Sequence, residues 1–178
     1  GVVTDSASFA YGGASWQVLW WTSSDDTVGE PCLAVGEGNV NRLLCAFVYG
    51  SGTSLASLEV LTFDLDTGLA FITTALWRPS QLLAHPRICV DSPEWALWYP
   101  YVVCLVQGAS TSEVHFTRSL DYGNQWTTPV ILASGLTLAD RDDIDFGGGT
   151  LTAAFTRRGA DSDVLLRISR DFGQTFEP

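Results

Sequence analysis

The chain has no lysine and no methionine, and only 16% of its 178 residues are charged. All nine cationic side chains are arginine, against twenty acidic ones, so the formal net charge is −11. Proteins that bind nucleic acid or anionic membrane surfaces need basic patches, and this balance argues against both kinds of partner. No apolar run reaches the length of a membrane-spanning helix, so we expect no membrane insertion.

Metal-binding patterns are also missing. The sequence contains no Cys-x-x-Cys pair, and its two histidines, His85 and His115, are not spaced as partners. This argues against a zinc site, and we expect neither a bound metal nor a cofactor. The apolar fraction of 46% is high for a soluble chain with so few charges, so the excess belongs in a core or an interface.

The most informative pattern that is present is Ser-x-Asp-x-Gly-x-x-aromatic, which occurs twice, 50 residues apart. A weaker third copy lies 55 residues before the first full one. The residues of the first, second and weaker copies are Ser119, Asp121, Gly123, Trp126; Ser169, Asp171, Gly173, Phe176; and Asp66, Gly68, Phe71. A spacing of roughly 50 residues is typical of a repeat architecture.

Each full copy follows a strand-like apolar run, which suggests a role at a hairpin corner. The Asp can accept hydrogen bonds from backbone N–H groups a few residues on, and the Gly supplies a positive φ. The aromatic side chain then packs against the neighbouring unit. The pattern resembles the Asp-box, or bacterial neuraminidase repeat, of sialidases and other β-propellers. The resemblance implies that the box lies between the third and fourth strands of a blade, on the rim away from any catalytic face.

The boxes bring the strand-like runs into register. They predict an all-β fold, a β-propeller-like array of four-stranded antiparallel blades with Asp-box turns, with about three blades plus a partial one. The units of this single propeller domain or propeller fragment are 1–30 (partial), 31–86, 87–139 and 140–178, of which the last lacks its fourth strand. Such units cannot bury their faces alone. We therefore expect a small closed ring, part of a larger propeller, or copies that complete one another.

The four cysteines follow the same repeat. Cys32 and Cys89 fall on the first strand of a unit, and Cys45 and Cys104 fall on the second. Neighbouring antiparallel strands place such residues within disulfide reach, so the repeat favours Cys32–Cys45 and Cys89–Cys104 and an oxidising compartment. The alternative is four buried thiols that act as small apolar core residues.

The resemblance makes a sialidase-type glycoside hydrolase the main alternative function. Such enzymes need three arginines that converge on the substrate carboxylate, a Tyr nucleophile activated by a Glu, and an Asp acid/base. The arginines here do not fit that pattern. Arg118, Arg167 and Arg170 lie in or beside third strands and boxes, and Arg87 matches the family's Arg-Ile-Pro motif only faintly. We therefore expect no enzymatic activity.

Two loops leave their roles open. The aromatic side chains Trp95, Trp98, Tyr99 and Tyr101 form either a sugar-stacking platform or protein contact, or they pack between blades. The acidic run at 140–145 is either a Ca²⁺ site or a solvated turn that leads into a strand.

These observations together predict a non-catalytic Asp-box propeller module. We expect it to be a structural or recognition component of an extracellular, cell-surface or virion assembly. The expected partners are further copies of the chain or other protein subunits, and a glycan is the other candidate ligand. The alternatives are a sialidase-type hydrolase, or a fragment of one, and a soluble carbohydrate-binding domain.

Overall fold

A computed structural model of the chain describes residues 8–11, 14–17, 29–36, 40–94, 97–136, 142–147, 150–157 and 163–177. Within these ranges the chain consists of β-strands and turns and contains no helix, so the all-β prediction is confirmed. The described residues accordingly offer no helix that could cross a membrane. Most of the predicted partial unit 1–30 lies outside the described residues, as does Trp95.

The strands form three larger antiparallel sheets and one hairpin, and each sheet follows chain order. The hairpin contains β1 (Ser8–Tyr11) and β2 (Ala14–Gln17). Sheet I contains β3 (Gly29–Gly36), β4 (Arg42–Tyr49), β5 (Ser57–Asp64) and β6 (Ala70–Trp77). Sheet II contains β7 (Leu82–Glu94), β8 (Leu97–Gln107), β9 (Ser112–Arg118) and β10 (Val130–Leu136). Sheet III contains β11 (Asp142–Gly147), β12 (Thr150–Arg157) and β13 (Asp163–Ser169).

Sheet II is packed between the other two sheets. Its strand β8 is buried on both faces, which explains why it reads as a continuous apolar run. Val102 and Cys104 belong to a first apolar core shared with sheet I. Tyr101 and Val103 belong to a second core shared with sheet III. The alternation of side chains along one strand therefore holds three sheets together.

The three sheets are aligned by their first strands. In sheet I, β3 lies against β7 of sheet II, and β7 in turn lies against β11 of sheet III. The described sheets form an open stack rather than a closed ring. The outward faces of the two end sheets stay exposed: Leu33 on sheet I and Val164 on sheet III are 62% and 68% accessible.

The predicted disulfide between Cys32 and Cys45 is not formed, and both are free thiols. The pairing register explains this. Cys45 lies opposite Leu33, so the preceding residue, Cys32, points to the other face of sheet I. Cys32 packs against the first core, whereas Cys45 lies on the outward face with Leu33.

The predicted disulfide between Cys89 and Cys104 is absent for the same reason. Cys89 lies opposite Tyr101 and packs against the second core. Cys104, three residues further along β8, points into the first core, where its Sγ donates to the carbonyl oxygen of Ala84 at 3.3 Å. The two sulfurs are thus on opposite faces of sheet II.

Candidate functional site

The first full box forms the turn between β9 and β10. The buried Ser119 Oγ accepts the N–H of Gly123 at 2.9 Å and that of Asp121 at 3.3 Å, and it donates to Asp121 Oδ1 at 2.7 Å. Asp121 Oδ1 also accepts the N–H of Gln125 at 2.8 Å. Tyr122 and Gly123 adopt φ values of 61° and 86°, which turn the chain back towards β10. Ser119 Oγ and Asp121 Oδ1 therefore close the turn through hydrogen bonds within it.

The second full box repeats this geometry after β13. Ser169 Oγ accepts the N–H of Gly173 at 2.8 Å and donates to Asp171 Oδ1 at 2.7 Å. Asp171 Oδ1 accepts the N–H groups of Gln174 and Thr175 at 3.0 and 2.9 Å. The Thr175 hydroxyl donates to Asp171 Oδ2 at 2.5 Å. This bond is the main cause that holds the pKa of Asp171 well below its usual range, and the bond from the Thr175 backbone N–H is the second.

The weaker copy, between β5 and β6, uses its residues differently. Asp64 closes the turn: its Oδ1 accepts the N–H groups of Thr67 at 2.8 Å and Asp66 at 3.1 Å. The bond from the Thr67 backbone is the main cause that lowers the pKa of Asp64. Asp66 instead accepts the backbone and side-chain N–H groups of Asn41, at 3.2 and 3.1 Å. Asp66 therefore ties this turn to the β3–β4 connection, while Gly68 supplies a φ of 74°.

The aromatic residue of each full box contacts the preceding sheet. The indole Nε1 of Trp126 donates to the Thr73 hydroxyl oxygen in sheet I at 2.9 Å. The same Thr73 hydroxyl donates to the carbonyl oxygen of Gly123 at 3.0 Å. Phe176 packs edge-on against Phe116 of sheet II, with ring centroids 4.9 Å apart. Each box is thus also a junction between two sheets.

An arginine from the preceding sheet strengthens each junction. Arg42 donates from Nη1 to the carbonyl oxygen of Tyr122 at 2.6 Å and lies over the ring of Phe71, 5.2 Å from its centroid. Arg118 donates to the carbonyl oxygen of Phe172. Tyr122 and Phe172 are the positive-φ residues that follow the two box aspartates. Sequence reasoning missed these two arginines, because each acts on a turn more than fifty residues away.

Three other arginines contact groups that lie in different parts of the sheets. Arg78 lies 3.4 Å from Nδ1 of His115, and Arg167 donates from Nε to the carbonyl oxygen of Leu132 at 3.1 Å. Arg87, the residue that faintly matches the sialidase motif, donates to the carbonyl oxygen of the residue before it. The described part of the chain therefore uses these side chains in contacts within and between sheets.

Two buried titratable groups were not singled out by the sequence. Asp91 is 1% accessible, and its Oδ2 accepts the Tyr101 hydroxyl at 3.3 Å while its Oδ1 has no hydrogen-bond partner. Burial raises the pKa of Asp91 to about 6 and also raises that of Tyr101. His115 is 3% accessible, and burial lowers its pKa although Nε2 lies 2.8 Å from Glu113 Oε2.

The predicted aromatic platform is not exposed at two of its members. Trp98 and Tyr101 are completely buried, because β8 packs against a sheet on each side. The indole of Trp98 donates to the carbonyl oxygen of Val40 at 2.7 Å, and its ring packs edge-on against Tyr122 at 5.0 Å. Tyr99 is half-buried against the second core. Of the two interpretations, packing between sheets fits these residues.

The acidic run at 140–145 falls partly outside the described residues, and its last member, Asp145, is exposed in β11. Within the described ranges, no three His, Cys, Asp or Glu side chains are grouped so that they could hold a metal ion. An open groove of about 460 Å³ lies on the outward face of sheet I, lined by Tyr49, Leu55, Ser57, Glu59, Thr74 and Trp77. None of these was among the predicted site residues.

No protein-family model matches the chain, and no curated protein has significant similarity to its sequence. The Asp-box resemblance therefore rests on the residues of the three turns and on their hydrogen bonds.

Proposed function

We propose that the chain is a non-catalytic Asp-box module, a structural or recognition part of a larger assembly. One observation carries this proposal. In both full boxes the Ser and Asp oxygens close the turn, and the aromatic side chain contacts the preceding sheet. Polar groups whose hydrogen bonds are already made within their own turn are suited to holding structure rather than to chemistry.

The arrangement of the sheets supports a propeller-like array. Sheet II has four strands in chain order, its box lies between the third and fourth strands, and it packs face to face with a neighbour on each side. The first strands β3, β7 and β11 lie beside one another, as the innermost strands of blades do. On this proposal each of sheets I to III is one blade.

The arginine contacts support a role without catalysis. A sialidase site needs several guanidinium groups aimed at one substrate carboxylate. Here Arg42 and Arg118 each hold a box carbonyl of the next sheet. Tyr101, whose hydroxyl donates to the Asp91 carboxylate, is completely buried and cannot reach a solvent-borne substrate in this conformation.

The proposed setting is an extracellular, cell-surface or virion assembly. Because the four described cysteines form no disulfide, this setting rests on the Asp-box resemblance and not on disulfide chemistry. The proposed partners are protein subunits, including further copies of this chain, because apolar side chains remain exposed on the outward faces of sheets I and III.

A turnover assay with a fluorogenic sialoside tests the absence of catalysis. We expect no hydrolysis above background at any pH between 4 and 8. Turnover that is lost in Arg87→Ala or Arg42→Ala, but kept in a control Arg170→Ala, whose exposed side chain pairs with Glu177, would overturn the proposal in favour of a hydrolase. Specific retention on a glycan array would favour the carbohydrate-binding alternative instead.

A further inference from the structure

The last sheet presents an uncovered copy of an interface that is covered inside the chain. Val114 and Phe116 lie five and three residues before the box Ser119, and sheet III buries them to 0% and 2% accessibility. Val164 and Leu166 lie at the same two positions before Ser169, and they are 68% and 48% accessible. The β13 side chains on the outward face of sheet III thus match those of a sheet-packing face, and no described sheet covers them.

The first sheet presents the other half of the same kind of interface. Leu33 and Ile72 lie in one row across its outward face, through the paired Cys45, and are 62% and 42% accessible. Val35 and Trp77 on the same face are 50% and 62% accessible. The outward face of sheet I points away from sheet II. In the same way, the face of sheet II that carries Val102 points away from sheet III.

We propose that the outward face of sheet III in one copy of the chain packs on the outward face of sheet I in a second copy. This inference rests on the proposed function and names its partner. The chain already makes this kind of junction twice, between sheets I and II and between sheets II and III. A second copy is the occupant because one molecule exposes both faces, and each face continues the stacking that the chain already makes inside itself. The two halves cannot meet within the described stack, since sheet II lies between them.

The contact joins two different surfaces, so it is heterologous. Repetition of such a contact generates a ring if the rotation closes and a filament if it does not. This separates the proposal from a two-fold dimer, in which one face would pack on its own copy. The difference is open to a direct test, because each face can be blocked without touching the other.

The test uses sedimentation velocity on the full chain and three variants. Leu166→Asp places a carboxylate on the sheet III face, and Leu33→Asp places one on the sheet I face. Leu69→Asp is the matched control, because Leu69 is 68% accessible but lies in the β5–β6 turn, outside both faces. We expect wild type and Leu69→Asp to assemble as concentration rises, and each face variant alone to stay monomeric. An equimolar mixture of the two face variants should form a heterodimer and nothing larger.

Three results would overturn the head-to-tail contact: a wild type that stays monomeric, face variants that assemble like wild type, or a mixture that forms no heterodimer. Assembly blocked by only one of the two face variants would point to a two-fold contact instead. Thermal unfolding of each variant shows whether it is folded, so that a misfolded variant is not mistaken for a folded monomer. A wild type that is monomeric and inactive on sialosides would contradict this inference alone. Sialoside turnover would contradict the proposed function.

Discussion

Ser119→Ala is expected to destabilise the chain more than Asp121→Ala, although the aspartate carries the charge. Ser119 Oγ is buried and accepts the buried N–H of Gly123, so its removal leaves that donor without a partner. A buried unpaired N–H costs about 1–3 kcal/mol, and the weaker bond from the N–H of Asp121 adds a smaller amount. We expect a total loss of about 2–4 kcal/mol in the free energy of unfolding.

Asp121→Ala removes the acceptor for the N–H of Gln125, which is exposed and can bond to water instead. The expected loss is therefore about 1–2 kcal/mol. Since Ser119 donates to Asp121, the double variant should lose less than the sum of the two single losses.

Urea denaturation measures these losses best in the Leu166→Asp background, where association does not add to apparent stability. Ser110→Ala, at an exposed serine in the β8–β9 connection, is the matched control and should change stability by less than about 0.5 kcal/mol. A Ser119→Ala variant as stable as this control, or single losses that add fully in the double variant, would refute the hydrogen-bonded turn.

Gly173→Ala should cost at least about 2 kcal/mol more than Gly68→Ala. Both glycines have φ near 75°, but an added Cβ at Gly173 would meet Phe116 Cζ at 2.6 Å, whereas Gly68 has open space. Equal unfolding midpoints for the two glycine variants would contradict the packing of the second full box on sheet II. Because the pKa of Asp91 is raised to about 6, from about 3.9 in an unfolded chain, the folded state binds more protons between these values. Stability should therefore fall on the order of 2–3 kcal/mol as pH rises through that window, and Asp91→Asn should lack this component; identical pH profiles for the two proteins would argue against it.

The sequence was informative where structure is local. The apolar run 101–106 lies within β8, and the run 42–49 coincides with β4. The two full boxes also lie where their spacing predicts a turn, because Ser, Asp and Gly at these offsets determine the backbone of the turn by themselves.

The disulfide predictions failed because they depended on which face of a strand each side chain occupies. Cys32 and Cys45 are on neighbouring strands, as expected, but a register offset of one residue puts them on opposite faces. Trp98 was read as part of a loop because the sequence does not show that β7 and β8 continue past their apolar centres. In the weaker box, Asp64 rather than Asp66 closes the turn, since Asp64 stands where the full boxes have Ser and its carboxylate accepts the N–H groups of the turn.

The partners of Arg42 and Arg118 could not be read from the sequence for a different reason. Each donates to a carbonyl oxygen on a turn in the next sheet, so the contact exists only once the sheets are stacked. No local spacing encodes a contact of that separation.

Each full box is both a turn and a junction to the preceding sheet. The most direct measurement is a nuclear Overhauser spectrum that follows the indole Hε1 of Trp126. This junction predicts a cross-peak from this proton to the side chain of Thr73, together with slow exchange of the indole N–H, because Nε1 donates to Thr73 Oγ1 at 2.9 Å. An indole proton that exchanges as fast as in an unfolded peptide, with no contact to sheet I, would contradict it.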